Sequence, residues 1–131
     1  MLLLSSTVVF AQNVPSSVRR SFQKDYPSVN NAQWAQKSGQ WHATYRDNSN
    51  RDVDAYYDRY GKRQETHIAW DRKDVPPQLD NRVYNRYHSR DYNVYRIERP
   101  RSKPLFEIRI GSKKPVYMDE QGREQKYYGH H

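Results

Sequence analysis

The sequence predicts an α+β protein made of two tandem repeats, each one helix followed by about four antiparallel strands, forming a sheet with the helices on one face. Three observations carry this reading. Val14, Val18, Phe22 and Tyr26 recur at the four-residue spacing of one helix stripe, and Val75, Leu79, Val83 and Tyr87 repeat it 61 residues later. Between the helices, apolar and polar residues alternate with the period of two that marks a half-buried strand. The same 61-residue offset carries Tyr56, Asp58, Gly61 and Gln64 onto Tyr117, Asp119, Gly122 and Gln125, and an ungapped offset of this kind is the signature of duplication.

The first helix is expected after Asn13, with Pro15 in its first turn, where the missing N–H costs nothing, and Pro27 closing it beyond Tyr26. Arg19, Arg20 and Lys24 form its basic outer face. Ala32 to Lys37 reads as a strand around Trp34, turned at Ser38-Gly39. Trp41, Ala43 and Tyr45 then point one way while His42, Thr44 and Arg46 point the other. After the Asp47–Asn50 turn cluster, Asp52 to Asp58 forms a strand with Val53, Ala55 and Tyr57 on one face. Asp58 and Gly61 suit a type I turn closed by a left-handed glycine, which leads into Arg63–Trp70. The second pass brings a helix from Val75, strands at Tyr92–Glu98, Pro104–Ile110 and Val116–Asp119, and a last strand near Glu124–Tyr128. The repeats are thus residues 12–74 and 75–131, preceded by residues 1–11.

Those first residues, Met1 to Ala11, read as a secretory leader without its positive start. An apolar run ends in Val9-Phe10-Ala11, whose small or aliphatic residues suit cleavage after Ala11. The alternative is an N-terminal strand or helix packed on the domain. The run is too short for a membrane-spanning helix, so no transmembrane anchor is expected after leader removal. The reading implies a periplasmic or secreted protein.

Only 34% of the residues are hydrophobic and the mean hydropathy is -1.28, values that lean toward disorder. The 12 Tyr and 3 Trp oppose that, because an amphipathic ring buries its body while its polar end stays wet or bonded. Lys and Arg number 23 against 15 Asp and Glu, a net charge of +8 that suits either an anionic partner or a well-solvated basic protein. With no cysteine, thiol catalysis, disulfides and thiolate metal sites are excluded.

At Val14-Pro15-Ser16-Ser17-Val18, Phe22, Tyr26-Pro27, Trp34, Trp41–Arg46 and Tyr56-Tyr57-Asp58 with Gly61-Lys62, the chain resembles the PepSY-like domains of exported bacterial proteins. Those domains share the architecture of the β-lactamase inhibitory protein. The resemblance spans Val14 to about Tyr128 and rests on turns, caps and core positions. It implies export, no enzymatic activity, and binding or inhibition of other proteins such as a peptidase or hydrolase. The chain departs from the pattern in its Arg and Tyr content and in the basic stretch Arg96–Lys103.

Alternation assigns His42, Thr44, Arg46, Asp54, Tyr56, Glu65, His67, Glu107, Arg109, Tyr117 and Tyr128 to the sheet face away from the helices, expected to meet water. Such a Tyr-, Arg- and His-rich face fits protein recognition, with an ordinary solvated face as the alternative. The candidate contacts are His42, Arg46, Tyr56, His67, Arg99, Arg101, Arg109 and Tyr117. No metal or cofactor is expected: the histidines His42, His67, His88, His130 and His131 are scattered, and Asp47–Asp52 fails as a calcium loop because Arg51 takes a ligand position and the turn glycine is missing. No nucleophile elbow or phosphate-cradling loop is present. Asp52 and Asp54 share a strand face but lie among bases, as surface ion pairs do. An anionic envelope polymer or surface, or a structural or envelope-stress role without a dedicated ligand, stays open beside a protein partner. Nucleic acid is disfavoured, since acids interrupt the basic residues and the leader implies export.

Overall fold

Val18 and Phe22 are buried on one side of helix α1 (Ser16–Asp25), and Leu79 and Val83 on one side of α2 (Pro77–Tyr87), as the two apolar stripes require. A computed structural model of the chain describes residues 7–10 and 13–129, which divide into two units, one ending at Thr66 and the other starting at His67. Each helix is entered from a proline in extended conformation, Pro15 and Pro76, with Pro77 in the first turn of α2. Their ends differ. Tyr26 leaves α1 at φ -134° and ψ 68° ahead of Pro27, whereas His88 closes α2 in the left-handed region at φ 55°.

In the first unit, β1 (Thr7–Val9), β2 (Gln33–Lys37), β3 (Gln40–Arg46) and β4 (Asp52–Tyr57) pair antiparallel in chain order. Register sets Trp34 opposite Ala43, Trp41 opposite Tyr57 and Ala43 opposite Ala55. These residues pack with Val14, Val18 and Phe22 into one core, partly enclosed by Tyr26, Val29, Ala32 and Tyr45. The Phe22 ring makes edge-on contacts to Trp34, Tyr45 and Tyr57 at centroid distances of 5.2, 5.7 and 6.3 Å, so the amphipathic rings do supply the core. Part of the stretch read as a leader forms β1. Met1–Ser6, Ala11 and Gln12 lie outside the described residues, as do His130 and His131.

Strand β5 (Arg63–Trp70) runs across the division between the units, and a 3-10 turn (Arg72–Asp74) leads to α2. In the second unit β6 (Asn93–Glu98), β7 (Leu105–Arg109) and β8 (Val116–Met118) pair antiparallel. Val75, Leu79, Val83, Tyr92, Val94, Phe106, Ile108 and Met118 form its core. The expected last strand near Glu124–Tyr128 reduces to one bridge between Met118 and Glu124. Of the basic stretch, Arg96–Glu98 belongs to β6, within the strand expected at Tyr92–Glu98, and the chain leaves the strand at Arg99.

The turns follow their chemistry closely. Asp58 Oδ1 accepts from the backbone of Tyr60 and Lys62 at 2.9 Å each, and Asp119 Oδ1 accepts from Gln121 and Arg123 at the same distances. Gly61 and Gly122 close them at φ +89° and +82°, a region an L side chain enters only with strain.

Candidate functional site

The outward face of the first unit is set by the register of β2, β3 and β4. Ala35 faces His42 and His42 faces Tyr56, while Thr44 faces Asp54 and Arg46 faces Asp52. Alternation therefore places His42, Thr44, Arg46, Asp54 and Tyr56 together, as the sequence predicts. The His42 and Tyr56 rings stack 5.2 Å apart and only 12° from parallel. The imidazole is only 14% exposed, its Nδ1 lies 3.7 Å from Asp54 Oδ1, and neither ring nitrogen has a hydrogen-bond partner among the described residues. A buried polar group without a partner costs about 1–3 kcal/mol. The Thr44 hydroxyl donates to Asp54, and Arg46 is held by Asp52 at 3.0 Å and by Asn50 at 3.3 Å.

The outward face of the second unit is not open water. Glu107 is 1% exposed, and both faces of Leu105–Ile108 are buried. On the first unit Glu65 is likewise buried, at 4% exposure. Both glutamates were expected on a wet face, and alternation is right about the direction of Glu107 but silent about what covers it. Arg109 Nε donates to Glu107 Oε2 at 2.5 Å, and its guanidinium lies 4.5 Å from the Tyr95 ring centroid. Tyr117, opposite Glu107 in the ladder, packs at 4.6 Å against Tyr127, whose hydroxyl is 3.3 Å from His67 Nε2.

The structure thus brings Tyr117 and His67 to one place through Tyr127, a residue that sequence reasoning missed. The available signal was the Tyr127-Tyr128 pair, of which Tyr128 seemed the sheet residue. It is instead 87% exposed. Arg99 and Arg101 sit apart, at the β6–β7 turn, where Arg101 adopts φ 61° and Arg99 buries an Nε without a hydrogen bond among the described residues. A separate concavity lies between α2 and the 119–124 turn, lined by Arg82, Asn85, Arg86, Arg123 and Glu124. Its arginines are partly answered by acids: Arg86 meets Glu124 at 3.0 Å and Arg123 meets Asp119 at 3.1 Å. Among the described residues no three His, Cys, Asp or Glu side chains converge as a metal site would need, and no helix is long and apolar enough to cross a membrane.

No protein-family model matches the chain, and no curated protein sequence does. Solved structures do. A DUF2874 family protein from Bacteroides ovatus is 22% identical with a TM-score of 0.77, covering 86% of this chain and 84% of that one. A Bacteroides eggerthii protein, whose description proposes a periplasmic location, is 19% identical with a TM-score of 0.78 and covers 86% of each chain. A BLIP-like protein from Bacteroides fragilis is 17% identical with a TM-score of 0.68, over 84% of this chain and 82% of that one. At such identities the likeness speaks for the fold: an α+β, BLIP-like arrangement of antiparallel strands and two helices.

Proposed function

We propose that the protein is an exported, non-enzymatic binding module of the PepSY-like type, duplicated from one helix-and-sheet unit, that engages a protein partner through its outward strand faces. The observation that carries this is His42: a stacked, nearly buried imidazole on a sheet face rather than in the core, with neither nitrogen hydrogen-bonded among the described residues and Nδ1 3.7 Å from Asp54. Such a group gains most from a partner that supplies the missing hydrogen bonds as it excludes the remaining water. Inhibition of a hydrolase or peptidase is one form such binding takes, and the BLIP-like likeness is compatible with it. Export rests on the leader reading and on the description of the Bacteroides eggerthii neighbour. Duplication is supported by the matching Asp58 and Asp119 turns and by the paired helix stripes.

The competing reading, an anionic polymer or surface, draws on the net charge of +8. It is weakened by the ion pairs, since Arg46 and Arg109 on the outward faces already hold Asp52 and Glu107. Capture from periplasmic extract by the chain and by its Tyr56→Ala/Arg109→Ala variant tests the proposal. Loss of the captured protein in the variant is expected. Retention of every partner by the variant sinks the sheet-face reading, and capture that collapses with added salt alone favours the polymer.

A further inference from the structure

Helix α2 carries Arg82 and Arg86 one turn apart, and the 119–124 turn sets Arg123 and Glu124 across from them. The concavity between them holds about 410 Å³, and the buried Met118 and Gly122 complete its lining. Gly122 brings the turn hard against the helix: a Cβ there would stand 2.5 Å from Arg82 Cγ and 2.9 Å from Arg82 Cβ. The stem of Arg82 is thus packed in place, which lowers the entropy cost of using its guanidinium. The charges of this cluster do not balance. Arg86 Nε meets Glu124 Oε1 at 3.0 Å, and the Tyr87 hydroxyl donates to the same oxygen at 2.6 Å. Arg123 Nε meets Asp119 Oδ2 at 3.1 Å and one of its Nη atoms reaches Gln121 at 3.4 Å. Arg82 has no hydrogen bond or ion pair among the described residues. Three guanidiniums against two carboxylates leave one positive charge over, and Arg82 carries it with all of its N–H donors available.

The first unit builds the matching turn without this charge. The positions 61 residues earlier hold Ser21 for Arg82, Asp25 for Arg86, Tyr57 for Met118 and Arg63 for Glu124. There Gly61 packs on Ser17 and Ser21, while Asp25 accepts from Tyr57 at 2.8 Å with Arg63 at 4.0 Å. In the second unit the ion pair is reversed as Arg86 and Glu124, Met118 has no hydroxyl, and Arg82 is added. The turn and its glycine therefore do not explain Arg82. We propose that this concavity binds a ligand carboxylate, with Arg82 as its main partner. A carboxylate matches the fork of a guanidinium and brings the single negative charge that the cluster lacks. A phosphate dianion would bring more than that charge and would be repelled by Glu124. The site lies on α2 and its neighbouring turn, so it is independent of what engages the outward strand faces.

The test uses the full chain at constant ionic strength, with the side-chain Nε–Hε signals of Arg82, Arg86 and Arg123 followed by NMR. The probes are acetate, the peptide acetyl-Gly-Glu-Gly-amide, the same peptide with Gln for Glu, and inorganic phosphate. Saturable shifts in the millimolar range are expected with acetate and with the Glu peptide, and the Gln peptide should bind at least about tenfold more weakly. Arg82→Gln should abolish the saturable shifts at Arg86 and Arg123. Arg82→Lys, which keeps the charge without the fork, should bind the Glu peptide several-fold more weakly than the unaltered chain. Acetate binding as tightly as the Glu peptide assigns the site to a free carboxylate. Several-fold tighter binding of the peptide assigns it to an acidic side chain of a protein, and either result supports the site. No saturable shift in the millimolar range, equal binding of the Glu and Gln peptides, binding retained by Arg82→Gln, or phosphate binding more tightly than the Glu peptide overturns the proposal.

Discussion

Tyr92 donates its phenolic hydrogen to Asp80 Oδ1 at 2.7 Å across the second unit, joining strand entry to helix α2. Arg72 lies 3.8 Å over the Tyr92 ring and reaches the same carboxylate at 3.2 Å, and Arg90 holds its other oxygen at 2.6 Å. The hydrogen bond from Tyr92, helped by the charges of Arg72 and Arg90, holds the Asp80 carboxyl below its ordinary range. Burial, then the bond to Asp80, pushes the Tyr92 phenol well above its own.

The signs of the two shifts place stability losses at opposite ends of the pH scale. Asp80, depressed in the folded state, stabilises fully above its unfolded value of about 3.9, and that contribution is lost as pH falls through the folded value. Tyr92, raised in the folded state, contributes below about pH 10 and loses its contribution as pH rises beyond it. Asp80→Asn should cost about 1–3 kcal/mol near neutral pH, and the penalty should shrink toward about pH 3. Urea unfolding at both pH values checks this, and an equal penalty at both removes the linkage.

The first unit holds a parallel device. Tyr57 is fully buried and donates to Asp25 Oδ2 at 2.8 Å, with Arg63 Nε 4.0 Å from that oxygen. Burial, followed by this bond, raises the Tyr57 phenol strongly. Tyr57→Phe and Tyr92→Phe should each cost about 1.5–3 kcal/mol, the range for a bond to a charged acceptor. In an ultraviolet titration two phenols should stay protonated well past the ordinary tyrosine value of about 10. Ionisation of every tyrosine in one step at that value contradicts the assignment.

Gly61 and Gly122 occupy matching turns but meet different neighbours. A Cβ at Gly61 would stand 2.5 Å from the Ser17 carbonyl oxygen, whereas at Gly122 it would stand 2.5 Å from Cγ of the Arg82 side chain. Both alanines suffer the left-handed penalty of about 1–2 kcal/mol. At Gly122 the added atom would also stand 2.9 Å from Arg82 Cβ, which moves only with its backbone, so Gly61→Ala and Gly122→Ala should each cost about 3 kcal/mol or more. Thermal unfolding of the two variants checks this, and a loss no larger than the left-handed penalty alone refutes the steric argument.

His42→Phe should separate stability from binding. Phenylalanine keeps a ring against Tyr56 and removes two nitrogens that lack hydrogen bonds among the described residues, so the variant should gain about 1 kcal/mol. A site residue replaced for stability commonly costs function, and partner capture should weaken. A destabilised variant that captures normally contradicts both halves.

Much of the frame was legible because it depends on local periodicity. The four-residue stripe of Val14, Val18, Phe22 and Tyr26 marks α1 whatever surrounds it, and the Trp41–Tyr45 alternation likewise marks β3. The His42–Tyr56 juxtaposition was legible as a shared face, though not as a stack. Lys126–Tyr128 misled, because a strand forms only where an edge receives it, and pairing stops after Glu124 and Gln125.

By itself the sequence determined the two helices, the order of most strands, the aspartate–glycine turns and the direction in which each strand residue points, since these follow from spacing and backbone stereochemistry over a few residues. Tertiary structure alone decided what covers each face. It buried Glu65 and Glu107, left both nitrogens of His42 without a hydrogen bond among the described residues and seated Tyr127 on Tyr117 beside His67. Burial is a property of segments distant in the chain meeting in space, and no local period encodes which segment arrives.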